Sequence, residues 1–318
     1  MNNSGLLEAL NVIWPYVIAV VTWVASVLAS GHAILYKRDP RSAVLWTGLI
    51  WLLPLAGALL YFILGINRIR RRALVLRGQV ETYRSPPPPP ASPPETLAEH
   101  LPPEARRLIS LASLVDQVVQ RPLVRGNAVE PLLDGDQAYP AMLAAIQEAR
   151  SSIALSTYIY DRDEAGYAFA DALGKAVRRG VEVRILIDAA GTRYTWPSIL
   201  GTLRREGIRH ARFLRTFPLR HLVSINLRNH RKILVVDGAT GFTGGMNIRV
   251  GHWLSKKPAH PVRDMHFRLD GPIVAHLQEA FAEDWRFTTG EILEGDRWFP
   301  PLEPAGSVFA RGIIDGPD

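Results

Sequence analysis

Two long apolar runs open the chain, and shorter apolar segments alternating with polar turns fill the rest. Residues 12–36 and 43–66 are almost uninterrupted apolar sequence, each long enough at the helical rise to cross ~30 Å of hydrocarbon. They predict a two-helix transmembrane hairpin with a hinge at 37–42. The leader before the first run has neither Lys nor Arg, and the run exceeds a signal-peptide core, so it is expected to stay in the mature protein. Residues 67–84 mix Ile69, Leu74, Leu76 and Val80 with arginines, which fits either an interfacial helix or a solvated helical extension. The Pro-rich stretch 85–103 reads as a semi-rigid polyproline II spacer, and its prolines would also suit an SH3-type module. It separates a membrane anchor, 1–84, from a second domain, 104–310.

Within that domain the apolar period switches repeatedly between helix and strand. Leu108, Leu111, Leu114, Val115 and Val118 recur at helical spacing and predict an opening helix over 104–120. A strand is expected at 128–133, turned by Asp134 and Gly135, then a helix at 139–149 and a strand at 153–160. Helices at 165–178 and 198–206, stopped by Gly180 and Gly207, alternate with strands at 181–188 and 208–214. Strands at 233–236 and 240–243 flank a turn at Asp237 and Gly238, and a strand at 262–269 leads into a helix at 272–287. Such alternation predicts an α/β domain, a mixed, largely buried sheet flanked by helices.

Composition sharpens this picture in two places. Mean hydropathy is +0.04, high for a water-soluble enzyme of 318 residues, which places part of the chain in lipid. The net charge of +7 and pI near 9.8 suit nucleic acid or anionic phospholipid, and charge alone does not choose. The apolar runs weigh against nucleic acid. Arg68, Arg70, Arg71, Arg72 and Arg77 after the second run outnumber Lys37, Arg38 and Arg41 in the hinge, which favours a cytoplasmic second domain. The absence of Cys excludes disulfides, Cys-ligated zinc and a thiol nucleophile.

The chemistry concentrates in residues 229–247, NHRKILVVDGATGFTGGMN. His230 and Lys232 are two apart and share a strand face, while the return strand brings Gly244, Gly245 and Asn247 towards the same end. A neutral imidazole can attack a phosphodiester while an ammonium and a carboxamide stabilise charge on the phosphoryl oxygens. The glycines would let backbone N–H groups approach an anion. A basic hairpin with an incidental histidine is the plainer reading. Asp161 and Asp163 lack paired histidines and read as loop and cap residues, and His252, His260, His266 and His276 lack zinc spacing and read as core or surface.

His230, Lys232, Asp237, Gly244, Gly245 and Asn247 fit the pattern HxK(x)4D(x)6G(G/S)xN, which resembles the signature of the phospholipase D superfamily. KRDPRSAVLW and LPLAGALLYFILGINR resemble the membrane-anchoring head of bacterial cardiolipin synthases, and GNAVEPLLDGDQAYPAMLAAI through GVEVRILID resembles their first catalytic repeat. The resemblance implies a phospholipase D-like repeat behind the hairpin, in a multi-pass protein of the cell (inner) membrane. It implies transfer of a phosphatidyl group between two phosphatidylglycerol molecules with release of glycerol, without metal or cofactor. His230 would be the nucleophile, Lys232, Gly244, Gly245 and Asn247 the phosphate site, Asp237 the residue fixing the turn, and Asp264 the acid orienting the nucleophile. The family pattern breaks in one respect: the family carries two such motifs and this sequence one, with residues 311–318 similar to the opening of a second repeat. The expectation is a truncated or split synthase, or a homodimer or second chain supplying another HxK motif. A phosphodiesterase using water, or an inactive lipid-binding half, are the alternatives.

Overall fold

The computed structural model describes residues 3–37, 39–66, 97–99, 101–119, 121–213 and 228–314, which belong to two units. The basic segment 67–84 and most of the Pro-rich spacer lie outside the described residues.

The first unit is helical. α1 (Asn3–Tyr36) contains Val12–Tyr36, 25 residues apolar and long enough to cross a membrane. α2 (Pro40–Leu52) starts where the Asp39 carboxylate accepts from Arg41 N and Ser42 N, with Pro40 at its first position. The second expected span, 43–66, is not one helix. It breaks at Leu53, because Pro54 has no N–H to donate and its ring would collide with the carbonyl one turn back. It resumes as α3 (Pro54–Leu60) and a π turn over Tyr61–Gly65. At 13 residues α2 is only ~20 Å long, short of the hydrocarbon thickness. Among the described residues, therefore, one helix meets the length and composition of a span, where the apolar pattern predicts two. Ala33, Ile50 and Tyr61 form this unit's buried cluster.

The second unit is an eight-stranded mixed sheet with helices on both faces. In chain order it contains α4 (Arg107–Val118), β1 (Val124–Leu133), α5 (Asp134–Glu148), β2 (Ser152–Thr157), α6 (Glu164–Arg178), β3 (Glu182–Asp188) and α7 (Leu200–Arg205). There follow β4 (His210–Phe213), β5 (Ile233–Val236), β6 (Thr240–Gly244), β7 (Met265–Asp270), α8 (Ile273–Thr289) and β8 (Val308–Ala310). The strand order is β4-β3-β2-β5-β6-β7-β1-β8, with β2, β3 and β4 parallel and the remaining neighbours antiparallel. Alternation along β5 divides the core. Leu234 and Val236 join the cluster of Phe169 and Leu173 from α6, while Ile233 and Val235 join that of Phe281 and Trp285 from α8.

Three local readings differ from the sequence pattern. The helix expected at 139–149 starts earlier: Asp134 and Gly135, read as a turn, already belong to α5, whose first turn carries Asp134 and Asp136 at the positive end of the helix dipole. β1 pairs with the distant β7 and β8. The strand expected at 153–160 stops at Thr157, and Tyr160 meets Ile248 in an isolated bridge. α4 forms, but buries none of its residues; Leu111 and Val118 remain 54% and 78% exposed.

Candidate active site

Register brings the chemistry to one end of the sheet. Ile233 pairs with Thr243, Ser156 with Ile233, and Gly244 with His266. The residues just before β5 and just after β6 therefore lie beside the C-terminal ends of β2 and β3 and the start of β7. His230 is exposed there and Lys232 is 6% exposed. Lys232 Nζ donates to His230 O at 2.7 Å and lies 3.0 Å from His230 Nδ1. An ammonium only donates, so Nδ1 accepts from it and the neutral ring carries its proton on Nε2. The Tyr158 ring backs both groups, 4.8 Å from the imidazole and 5.7 Å from Nζ.

These surroundings shift both groups. Burial, then the Lys232 charge, push the His230 pKa below its ordinary 6.5, against an upward pull from Asp188. Burial lowers Lys232 to about 8, against the carboxylate of Asp264. The site thus holds a neutral imidazole beside an ammonium at pH 7.

The other signature residues divide between two places. Asn247 reaches the same end of the sheet: its Oδ1 accepts from Ile159 N at 3.0 Å and its backbone O accepts from Tyr139 Oη at 2.6 Å. With Oδ1 committed, any contact to an anion falls to the amide Nδ2. Asp237 sits at the far end of β5, about 15 Å from Lys232 at the rise of an extended chain. Its carboxylate accepts from Arg150 N, Ser151 N, Ser151 Oγ and Ser152 N, stapling the β5–β6 turn to the start of β2. Burial raises its pKa, but these hydrogen bonds outweigh that and hold it below the usual carboxylate range. It is placed to fix the turn and has no reach to the imidazole.

The glycines answer to close packing. A Cβ on Gly245 would strike the Asp264 carboxylate, and one on Gly244 would lie 2.5 Å from Met265 O and 2.7 Å from His266 Nδ1. Gly245 N–H already donates to Met265 O at 3.1 Å, so it is committed to β7 and not to an anion. Asp264 is brought to Lys232, whose charge it supports, and Met265 N donates to its Oδ1 at 2.7 Å. The carboxylate whose field reaches His230 is Asp188.

Sequence reasoning missed Asp188 and Asp284, and read His266 as core or surface. Asp188 is 1% exposed at the end of β3; its Oδ2 accepts from Asn229 N at 2.9 Å and its Oδ1 from Ala190 N at 2.8 Å. An acid closing the apolar run of β3 was its available signal. Asp284 of α8 accepts from Asn229 Nδ2 at 2.8 Å and from Arg231, holding both neighbours of His230. Nothing local to either stretch announces that pairing. His266 is 2% exposed, and burial lowers it to about 4. With Lys232, Ser156 and Thr157 it lines a cavity of about 10 Å³ behind the site, and its Nδ1 has no partner among the described residues. Among the described residues no set of three or more His, Asp or Glu side chains converges to hold a metal ion.

Residues 142–285 match the family described as cardiolipin synthase, PLD-like domain, and residues 17–65 the family described as phospholipase D-nuclease N-terminal. Cardiolipin synthase 1 of Bacillus anthracis is 32% identical over 308 residues, covering 94% of this chain and 60% of that protein. Cardiolipin synthase A of Pseudomonas fluorescens is 28% identical over 316 residues, covering 96% and 63%. The chain spans about three-fifths of the length of these curated relatives. Among solved structures, a phospholipase D family member, Nuc from Salmonella typhimurium, aligns over 51% of this chain and 96% of its own, at 21% identity and a TM-score of 0.40.

Proposed function

The chain belongs to the phospholipase D superfamily, within its cardiolipin synthase type, and from that premise we propose that it is a membrane-anchored phosphatidyltransferase forming cardiolipin from two phosphatidylglycerol molecules. The observation that carries this reading is the exposed, neutral His230 held 3.0 Å from the buried ammonium of Lys232. A phosphodiester anion entering the site draws Lys232 onto its oxygens, beside the Asn247 amide. The imidazole then takes its proton at Nδ1 and leaves the Nε2 lone pair free to attack phosphorus. The N–P bond forms as the bond from phosphorus to the headgroup glycerol breaks, and that glycerol leaves with a proton. A hydroxyl of the second phosphatidylglycerol attacks the phosphatidyl-histidine, its proton passes to the group that protonated the first glycerol, and the N–P bond breaks to restore the ring.

The departing glycerol needs an acid. His266 is 2% exposed and lowered to about 4, which makes it a poorer donor than an exposed imidazole. The donor in this reading is the histidine of a second HxK motif, from another copy or another chain. The arginines after the second apolar run support a cytoplasmic location for the site in a protein of the cell membrane.

The test is incubation of detergent-solubilised protein with phosphatidylglycerol. Cardiolipin and free glycerol are expected in equal amounts, with His230→Ala at least ~10⁴-fold slower. Unchanged cardiolipin formation in that variant overturns the assignment, and phosphatidic acid in place of cardiolipin identifies water as the acceptor.

A further inference from the structure

Beside His230 the loop between β3 and α7 turns two aromatic side chains outwards. Trp196 is 95% exposed and Tyr194 59% exposed. The loop is nonetheless fastened. Gly191 lies against the Tyr158 carbonyl too closely to admit a Cβ, and Thr192 Oγ1 donates to Ala189 O at 2.8 Å. Thr195 Oγ1 donates to Asp161 Oδ1 at 3.2 Å and accepts from Arg162 N at 3.2 Å. Held in this way, the two rings project from a defined surface. The Tyr194 ring lies 6.2 Å from Tyr158, which in turn lies 4.8 Å from His230, so the projection stands at the rim of the site.

We propose that this loop enters the interfacial layer of a phospholipid bilayer, seating the mouth of the site among the headgroups. Three observations select a bilayer over a protein. Two aromatic side chains offer about 300–500 Å², below the ~800 Å² that each side of a standard protein interface buries. Trp and Tyr are the side chains that gain most at the boundary of water and acyl chains, where a ring finds apolar contact and its polar edge stays wet. Basic side chains flank the rings: Arg193 is exposed within the loop, and Arg162 lies over the Tyr167 ring at 5.9 Å and bonds its hydroxyl at 2.6 Å. That combination complements anionic headgroups. A loop so placed would let a diacyl substrate present its phosphate to His230 while its chains stay in the membrane.

This inference rests on the reading that the substrate is a phospholipid, and its test is made without turnover. The chain contains no Cys, so Trp196→Cys provides a unique site for an environment-sensitive fluorophore in the full-length protein. The control is Glu130→Cys, exposed on β1, five strands from β3 and therefore about 24 Å across the sheet. In vesicles containing phosphatidylglycerol, the label at 196 is expected to shift to the blue and to be quenched by shallowly brominated lipids about threefold more than the label at 130. A water-like spectrum at 196 in those vesicles overturns the proposal. So does a blue shift that grows with protein concentration in lipid-free micelles, which would assign the loop to a second copy. A loop that fails to insert leaves the His230 assignment standing, and loss of that assignment leaves the insertion result standing.

Discussion

His230 and Lys232 are close enough that the charge of one sets the chemistry of the other. In the proposed reaction the imidazole must be neutral to attack, and burial together with the ammonium keeps its pKa below 6.5. Lys232 must be charged to receive the phosphate and has a value of about 8. The signs are opposite: kcat/KM rises as pH climbs through the lowered histidine value, and falls as Lys232 loses its proton near pH 8. Lys232→Arg is expected to carry the descending limb above pH ~10, because a guanidinium stays charged throughout. A limb that stays near 8 in that variant would show that Lys232 does not set it.

At the level of elements, the β5–β6 hairpin was legible because a β-branched run is bounded by polar residues at intervals that burial does not require. Its relations to other elements were not. Asp188 ends β3 and Asp284 lies on α8, and no spacing within residues 229–247 points to either. The glycine pair was visible, but its reason was misread: the pattern offered N–H groups for an anion, whereas β7 needs the room. Pro54 shows the same limit, since hydropathy counts apolar surface and not missing backbone donors. Gly245→Ala tests the packing account. Its Cβ would displace the Asp264 carboxylate that supports the Lys232 charge. The descending limb is expected to move about one pH unit below 8, and the rate at pH 8 to fall about fivefold as the charged fraction of Lys232 drops from about half to about a tenth. An unchanged pH profile would separate Asp264 from Lys232.

For the whole molecule, the proposed acid is the histidine of a second HxK motif. Without it, glycerol must leave unassisted, which forfeits a factor of about 10² to 10⁴. Specific activity of the solubilised protein is therefore expected to rise with concentration as copies associate. Full activity from particles of confirmed monomer mass would refute a shared site. The cytoplasmic placement has its own measurement: a single cysteine in the Pro-rich spacer should resist a membrane-impermeant reagent in intact cells and react after lysis. Labelling in intact cells would reverse the orientation.

Asp284 grips Asn229 and Arg231 from 55 and 53 positions further along the chain, and in doing so it tethers the chain on both sides of His230 to α8. A motif search sees only the letters of the hairpin. A sister sequence that kept NHRK but replaced this aspartate would still score as a full match, yet its histidine would swing on an unmoored segment. Grafting the signature into another hairpin would meet the same obstacle, so the portable unit is the hairpin together with the helix behind it.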